Sequence, residues 1–207
     1  MPTKLYRDTL ALLAAILLLP LSINAQPATA LGPRVAAAAK QQIGITKEYD
    51  PAYATITYPG GDVPIRTGVC CDVVIRAIRK VGIDLQKEVH EDMQKNFSAY
   101  PQKWGLTKPD TNIDHRRVPN LMRYFERHQI VLEEKLKLKE SYQAGDIVAW
   151  DLGNGLLHIG IASDTKMSGT PLIIHNIGSG AMQEDILFKF KVIGHYRMKE
   201  PISKPTT

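Results

Sequence analysis

The chain has 207 residues, of which 44% are hydrophobic and 23% are charged, a globular composition that excludes collagen-like, coiled-coil and wholly disordered proteins. Its 26 Lys and Arg residues against 21 Asp and Glu give a formal net charge of +5, but the basic residues are scattered along the chain. Nucleic-acid binding usually needs a concentrated basic stripe or a motif, so we expect no nucleic-acid partner.

The N-terminal segment is typical of a secretory signal peptide. Lys4 and Arg7 form a basic region, residues 10–23 are almost wholly apolar, and small residues follow. The apolar run is shorter than the roughly 20 residues that a membrane-spanning helix needs, which makes an uncleaved anchor the weaker alternative. We expect removal of residues 1–25, or cleavage as late as residue 30. The sequence thus predicts a periplasmic or secreted protein without stable membrane insertion after cleavage.

Residues 31–200 are expected to form a single domain, followed by a flexible tail over residues 201–207. In its first part, apolar residues recur at spacings of three and four, as in amphipathic helices. Gly and Pro residues, which mark turns and loops, interrupt this pattern. The predicted helices cover 31–45, 69–81, 89–93 and 116–128, with an irregular loop over 49–66.

The C-terminal part changes to the period of β-strands, with Gly-rich turns between the apolar runs. The predicted strands cover 145–151, 156–163, 171–177 and 191–197. Because the helices come first and the strands second, the order favours an α+β fold with the 69–81 helix packed on a central antiparallel sheet.

The two cysteines, Cys70 and Cys71, are neighbours at the start of a predicted helix. Adjacent cysteines can close only a strained ring that ties no distant segments together. At a helix start, free N–H groups and the positive end of the helix dipole stabilise a thiolate. A nucleophile is therefore the functional interpretation, and a small buried hydrophobic side chain is the structural one.

His158 and His175 lie on two consecutive predicted strands. If these strands pair antiparallel, both imidazoles can point at the start of the helix, and Gly160 and Ala162 leave room above the sheet for another element. A thiolate, a histidine and a third polar group are what acyl transfer by cysteine requires. A strand histidine bonded to a backbone carbonyl is the ordinary alternative for each imidazole.

The two cysteines and two histidines could instead form a tetrahedral zinc site. Structural zinc cysteines are usually separated by two to four residues, and adjacent cysteines rarely reach one metal together. No motif indicates a nucleotide or flavin either, so we predict no cofactor and no metal.

Other polar residues are expected to be structural. We place Arg76 on a solvent-facing side of its helix and Asp146 in the turn that enters a strand. The remaining histidines are expected among charges or at surface ends of helices and strands; they are His90, His115, His128 and His195. For Trp104 and Trp150, core packing is favoured over a cleft.

The order of these parts resembles a known superfamily. GVCCDVVIRAIRK, GDIVAW, HIGIAS and IIHNIGSG together resemble the bacterial NlpC-like branch of the papain-like cysteine peptidases. More narrowly, YDPAYATITYPGGDVP, IDLQKEVHEDM, GDIVAWDLGNG and IIHNIGSGAMQEDILF are similar to a family of secreted bacterial proteins known as domain of unknown function 1287, over about residues 33–198.

The resemblance implies a papain-like fold with the nucleophile on the helix, the base on the second strand of the sheet and the orienting residue on the third. It implies Cys70 as nucleophile, because the narrow family keeps the Cys after Gly-Val and commonly has Thr at the position of Cys71. The Asp-Cys-Ser-Gly sequence usual around the superfamily nucleophile is absent here. The resemblance also implies that Tyr58 supports the site.

The sequence therefore predicts a cysteine hydrolase acting on amide bonds, with Cys70 as nucleophile, His158 as base and His175 orienting His158. Asn176 is a substitute for His175. Peptidoglycan stem peptides or similar peptides are the expected substrate, and we expect a monomer. The alternative is a catalytically inactive module of the same fold that binds the cell envelope.

Overall fold

The computed structural model describes residues 30–199. The predicted signal peptide over residues 1–25 and the predicted tail over 201–207 lie outside these residues. Between residues 30 and 199, no helix has both the length and the apolar character needed to cross a membrane.

The first two thirds of the domain are mainly helical. The helices are α1 (Leu31–Lys40), α2 (Cys70–Lys80), α3 (Leu85–Asn96) and α4 (Val118–His128). In α2 the apolar residues at spacings of three and four are buried, among them Val73, Val74, Ala77 and Ile78. Acidic Asp72 in its first turn and basic Lys80 in its last turn both complement the helix dipole.

The strands lie mostly in the last third of the chain. They are β1 (Glu48–Tyr49), β2 (Thr67–Gly68), β3 (Ile130–Val131), β4 (Ile147–Asp151), β5 (Leu157–Met167), β6 (Thr170–His175), β7 (Met182–Glu184) and β8 (Lys191–Arg197). The first two form a short parallel pair, and the other six form one sheet in the order β3-β8-β4-β5-β6-β7. Every pairing in this sheet is antiparallel.

The centre of the sheet is buried on both faces. Ile147, Ile159 and Ile161 belong to a core that includes residues of all four helices. The residues that alternate with them along the strands belong to a second, smaller core with Tyr142 and Leu187; they include Val148, Trp150 and Ala162. The sheet therefore separates a helical layer from a layer of loops.

The structure confirms the α+β class, and its elements differ from the predicted ones mainly at their ends. The first predicted helix stops at Lys40, because residues 41–45 form turns. The short helix predicted over 89–93 begins earlier, since Asp84 caps it by accepting a hydrogen bond from the Gln86 N–H. The strands β3 and β7 were not predicted because they have only two and three residues.

Three residues that were expected at the surface are buried, namely Arg76, His195 and His115, the last only 2% exposed. Arg76 is buried, and its guanidinium binds the Asp62 carboxylate at 2.8 and 3.0 Å. His195 is fully buried, where it contacts Asp146 at 2.7 Å and stacks on Tyr142 with 3.9 Å between the ring centroids. Arg76 and His195 are buried together with the carboxylates that they bind, because a polar group in the interior needs hydrogen-bonding partners. These partners lie 14 and 49 residues away in sequence.

Candidate functional site

The start of α2 is held in place by a buried ion pair. The Asp72 carboxylate accepts a hydrogen bond from the Val69 N–H at 2.6 Å and two from the Arg116 guanidinium at 2.9 and 3.0 Å. The side chains of both charged residues are at most 3% exposed. Cys70 and Cys71 follow Val69 directly, and the N–H groups of a first helical turn have no acceptor within the helix.

Cys70 lies in hydrogen-bond contact with the side chains of Cys71 and His158 and with the backbone of Ile159. The pKa of Cys70 is lowered because the Cys71 thiol donates to its sulfur and because His158 adds a hydrogen bond and a positive charge, which together outweigh the effect of burial. Burial raises the pKa of Cys71, and the hydrogen bond to Cys70 raises it further. Of the two thiols, Cys70 is therefore the one that ionises.

His158 contacts the second histidine directly. Its Nε2 lies 3.0 Å from His175 Nδ1, and the two rings are nearly perpendicular, at 85°. Burial lowers the pKa of His175 to about 3, and the nearby His158 and Lys189 lower it in the same direction. His175 is thus neutral at pH 7, and the structure brings Cys70, His158 and His175 together in one hydrogen-bonded row.

The geometry of the sheet explains how the two imidazoles meet. In the register of β5 and β6, Ile161 lies opposite Ile174, which places His158, Gly160 and His175 on the same face. A Cβ atom on Gly160 would lie 2.8 Å from Ile173 Cγ2 and 3.1 Å from His175 Cβ. Gly160 therefore leaves room for His175.

Gly160 and Ala162 were expected to leave room above the sheet for another element. The space above Gly160 is filled by Ile173 and His175, and Ala162 faces the second core. The helix packs on the opposite face, against Ile159 and Ile161. Cys70 reaches His158 because it is the first residue of the helix.

Asn176 makes its hydrogen bonds, within the part of the chain that the structure describes, to backbone groups and not to His158. Its Nδ2 donates to the backbone carbonyls of Gly68 at 2.9 Å and Glu48 at 3.3 Å, while its Oδ1 accepts from the Gly178 and Gly180 N–H groups. Asn176 therefore ties the end of the His175 strand to the segment just before Cys70.

Tyr58 is not at this site either. It packs edge-on against His90, with 5.0 Å between the ring centroids. Tyr49 lies at the site instead, because the parallel pairing of β1 and β2 sets it opposite Gly68. The pKa of Tyr49 is raised to about 12, first by burial and then by the proximity of Cys70 and Cys71.

Comparison with known proteins places the chain in a family. A family model described as "Domain of unknown function (DUF1287)" matches residues 36–198. This chain belongs to the DUF1287 family. It is 61% identical over 164 residues to "Uncharacterized protein YijF" of Escherichia coli (strain K12), an alignment that covers 79% of this chain and 80% of that protein. No solved structure matches the chain.

The cleft at Cys70 of this DUF1287 domain is small, with a cavity of about 160 Å³. Pockets for drug-sized ligands measure roughly 300–1,000 Å³, so this cleft accepts only part of a larger molecule. Its walls combine apolar and polar side chains; besides the cysteines they include Tyr49, Pro51, Ile113, Arg116, Val118 and Leu157. A larger cavity of about 490 Å³ is lined by residues of α1, α2 and the intervening loop, and contains none of the row of side chains at Cys70.

The histidine pair of this DUF1287 domain is arranged for proton transfer. Because His158 Nε2 and His175 Nδ1 face each other at 3.0 Å, these two nitrogens bind each other and do not converge on a common point. Between residues 30 and 199, no group of three or more His, Cys, Asp or Glu residues is placed to hold a metal ion.

Sequence reasoning missed two residues of the site, Arg116 and Tyr49. Arg116 is 44 residues from its partner Asp72, and Tyr49 reaches the site only through strand pairing.

Proposed function

We propose that this DUF1287 protein is a secreted cysteine hydrolase of amide bonds, with a papain-like fold of the NlpC-like type and peptidoglycan stem peptides as substrates. The observation that carries the proposal is the row formed by Cys70 in contact with His158 and His158 Nε2 at 3.0 Å from His175 Nδ1. An activated thiol, a base and a group that orients the base are the parts that cysteine acyl transfer needs.

In the proposed reaction the Cys70 thiolate attacks the carbonyl carbon of the amide. A C–S bond forms, and the electron pair of the C=O bond moves to oxygen, where the backbone N–H of Cys70 stabilises the negative charge. His158, as an imidazolium, gives its proton to the leaving nitrogen while the C–N bond breaks. Water then attacks the thioester as His158 takes its proton, which releases the acid and restores the Cys70 thiolate.

Two features support the papain-like assignment and the substrate class. The chain order of a Cys-bearing helix, then a strand, then two strands with one histidine each is the order of the NlpC-like branch. The cleft of about 160 Å³ suits a flexible peptide that inserts one residue at a time. Stem peptides of peptidoglycan are such chains, and the predicted signal peptide directs the protein to their compartment.

The test of this function is incubation of the purified protein with intact peptidoglycan, followed by mass analysis of the released fragments. We expect fragments that differ from the starting stem peptides by hydrolysis of one amide bond, and none with the Cys70→Ala variant. Sedimentation of the protein with peptidoglycan but no release of fragments would contradict the hydrolase and favour the inactive binding module.

The proposed location is tested separately. The full chain is expressed in a bacterial host, cells are fractionated, and the mass of the intact protein is measured in each fraction. We expect a periplasmic or secreted form whose N-terminus lies after residue 25 or as late as residue 31. A protein that stays in the cytosol with its N-terminal segment intact would contradict secretion.

A further inference from the structure

A carboxylate lies next to His175 at the end of the row of hydrogen-bonded side chains. Glu184 Oε2 lies 2.9 Å from His175 Nε2, the ring nitrogen on the side away from His158. Glu184 is in β7, where Met182 pairs with His175 and Glu184 comes two residues later on the same face. His175 is fully buried, whereas the Glu184 side chain is 39% exposed.

His175 Nε2 needs a hydrogen-bonding partner at this position. It is buried, and within residues 30–199 it has no hydrogen bond of normal geometry, although Glu184 Oε2 is close enough for one. The contact meets the distance of a hydrogen bond but not its direction, and the Glu184 side chain, being 39% exposed, is not held in place by a surrounding core. Because a buried N–H without a partner is costly, the carboxylate and the ring nitrogen are expected to pair.

The position of one proton on His175 decides whether His158 can become charged. A neutral imidazole carries a single N–H. With the proton on Nδ1, His175 would donate to His158 Nε2, and that nitrogen could not bear a proton of its own. With the proton on Nε2, His175 Nδ1 accepts from His158 Nε2–H and so stabilises the imidazolium that protonates the leaving group.

We propose that Glu184 is a positioning residue that fixes this second tautomer of His175. The inference rests on the proposed hydrolase function and deepens it by adding a fourth member to its site. The row then runs from Cys70 through His158 and His175 to the carboxylate of Glu184, and each hydrogen bond in it has one donor and one acceptor.

The other charged groups around His175 do not replace the carboxylate. Lys189 is the other charged side chain that acts on it, and its positive charge lowers the pKa of His175 as His158 does. The groups that α2 contributes here are the two thiols. The group that β4 contributes is the uncharged ring of Trp150, which lies 5.8 Å from the ring of His158. Among these neighbours, Glu184 supplies the acceptor for an N–H at Nε2.

The direct test is the tautomer of His175, measured by long-range ¹H–¹⁵N correlation at pH 7. Wild-type protein is expected to show the proton on Nε2, Glu184→Gln to keep it through the amide oxygen, and Glu184→Leu to lose this preference. Glu126→Leu is the matched control, since Glu126 is 34% exposed but lies on α4. An unchanged tautomer in Glu184→Leu would overturn the proposal.

The kinetic test follows hydrolysis of peptidoglycan fragments together with alkylation of Cys70 by iodoacetamide between pH 5 and 9. For Glu184→Leu we expect kcat to fall about tenfold or more with KM unchanged, the loss expected for one charge-assisted hydrogen bond that matters in the transition state. The apparent pKa of Cys70 alkylation should rise, with Glu184→Gln in between.

The outcomes separate this inference from the proposed function. If wild-type protein releases no fragments but Glu184→Leu still shifts the tautomer and the alkylation profile, the positioning role stands and the hydrolase function falls. If wild-type protein is active and Glu184→Leu matches it in kcat, alkylation and tautomer, the function stands and the positioning role falls.

Discussion

At the scale of single residues, two adjacent thiols differ in acidity because their neighbours differ. Cys70 contacts His158 and receives a hydrogen bond from Cys71, whereas Cys71 is fully buried and has the raised pKa. Successive helical side chains diverge by about 100°, so only one of the two can face the histidines. Their roles should therefore separate cleanly on substitution.

We predict that Cys70→Ala abolishes amide hydrolysis, with a loss of at least roughly 10³-fold, as for a nucleophile that acts as a unit with its base. Cys71→Ser should keep most activity because its hydroxyl can still donate to the Cys70 sulfur. Cys71→Ala should raise the pKa of Cys70. The measurements are initial rates on peptidoglycan fragments and the pH profile of Cys70 alkylation. An inactive Cys71→Thr beside an active Cys70→Ala would show that the nucleophile is one residue further on.

A second prediction at this scale concerns Gly160. In Gly160→Ala the new methyl group meets Ile173 and His175, so it should displace the His175 ring as well as overpack the core, at a cost of about 1–3 kcal/mol. We expect kcat to fall more than the loss of stability explains. Gly105→Ala is the control, because Gly105 has a φ of +68° and open space around it. It should destabilise the fold through backbone strain and leave hydrolysis unchanged. Equal activity of the two variants would contradict this role for Gly160.

At the scale of elements, the start of α2 depends on the Asp72–Arg116 pair. Arg116 also donates to the Ala52 and Asp50 carbonyls, so this pair fastens the loop before β2 to the start of α2. Removing one partner of a buried ion pair leaves the other charge buried without a partner. Asp72→Ala should therefore lower the free energy of unfolding by about 3–5 kcal/mol, measured by urea denaturation.

The exposed pair of Arg66 and Glu48 is the matched control for this prediction. Its nitrogen–oxygen distance is also 2.9 Å, but its side chains are 64% and 55% exposed. Glu48→Ala should cost less than about 1 kcal/mol. A similar loss in Glu48→Ala and Asp72→Ala would show that burial does not set the strength of the Asp72–Arg116 pair.

The sequence predicted the elements that carry a strong local pattern and missed those set by distant contacts. The period of the apolar residues predicted α2 to within a residue at each end, and β8 was predicted with its observed bounds. Tyr49 was missed because its place beside the cysteines comes from pairing with Gly68. Glu184 was missed because β7 has only three residues, too few for a periodic signal. Arg76 was wrongly predicted to face the solvent because its ion-pair partner, Asp62, lies in an irregular loop.

At the scale of the whole molecule, buried neutral histidines make stability depend on pH. Burial lowers the pKa of His115 to about 4, with a smaller effect of Arg116 in the same direction. Between an unfolded pKa near 6.5 and this folded value, the unfolded chain binds the proton and the folded chain does not. Stability is therefore full above the unfolded pKa and is lost as the pH falls towards the folded one.

We predict that the free energy of unfolding falls between pH 6.5 and pH 4, and that His115 contributes up to about 3 kcal/mol of this fall. His115→Gln should flatten the dependence, whatever its effect on stability at pH 7, because it removes one titrating group. His175, whose pKa is near 3, still contributes its own part of the pH dependence in this variant. Urea denaturation at several pH values measures the slope, and an unchanged slope in His115→Gln would contradict the assignment.

The small size of the cleft at Cys70 also governs which molecules can collide with its sulfur. The side chain of Cys70 is only 4% exposed behind a cleft of about 160 Å³. Thiol–disulfide exchange requires the sulfur of a second molecule to reach the thiolate, and a folded protein is too bulky to bring one through such an opening. The walls of this cleft therefore shield the Cys70 thiol from cross-linking to other proteins, while small oxidants such as hydrogen peroxide still have a way in.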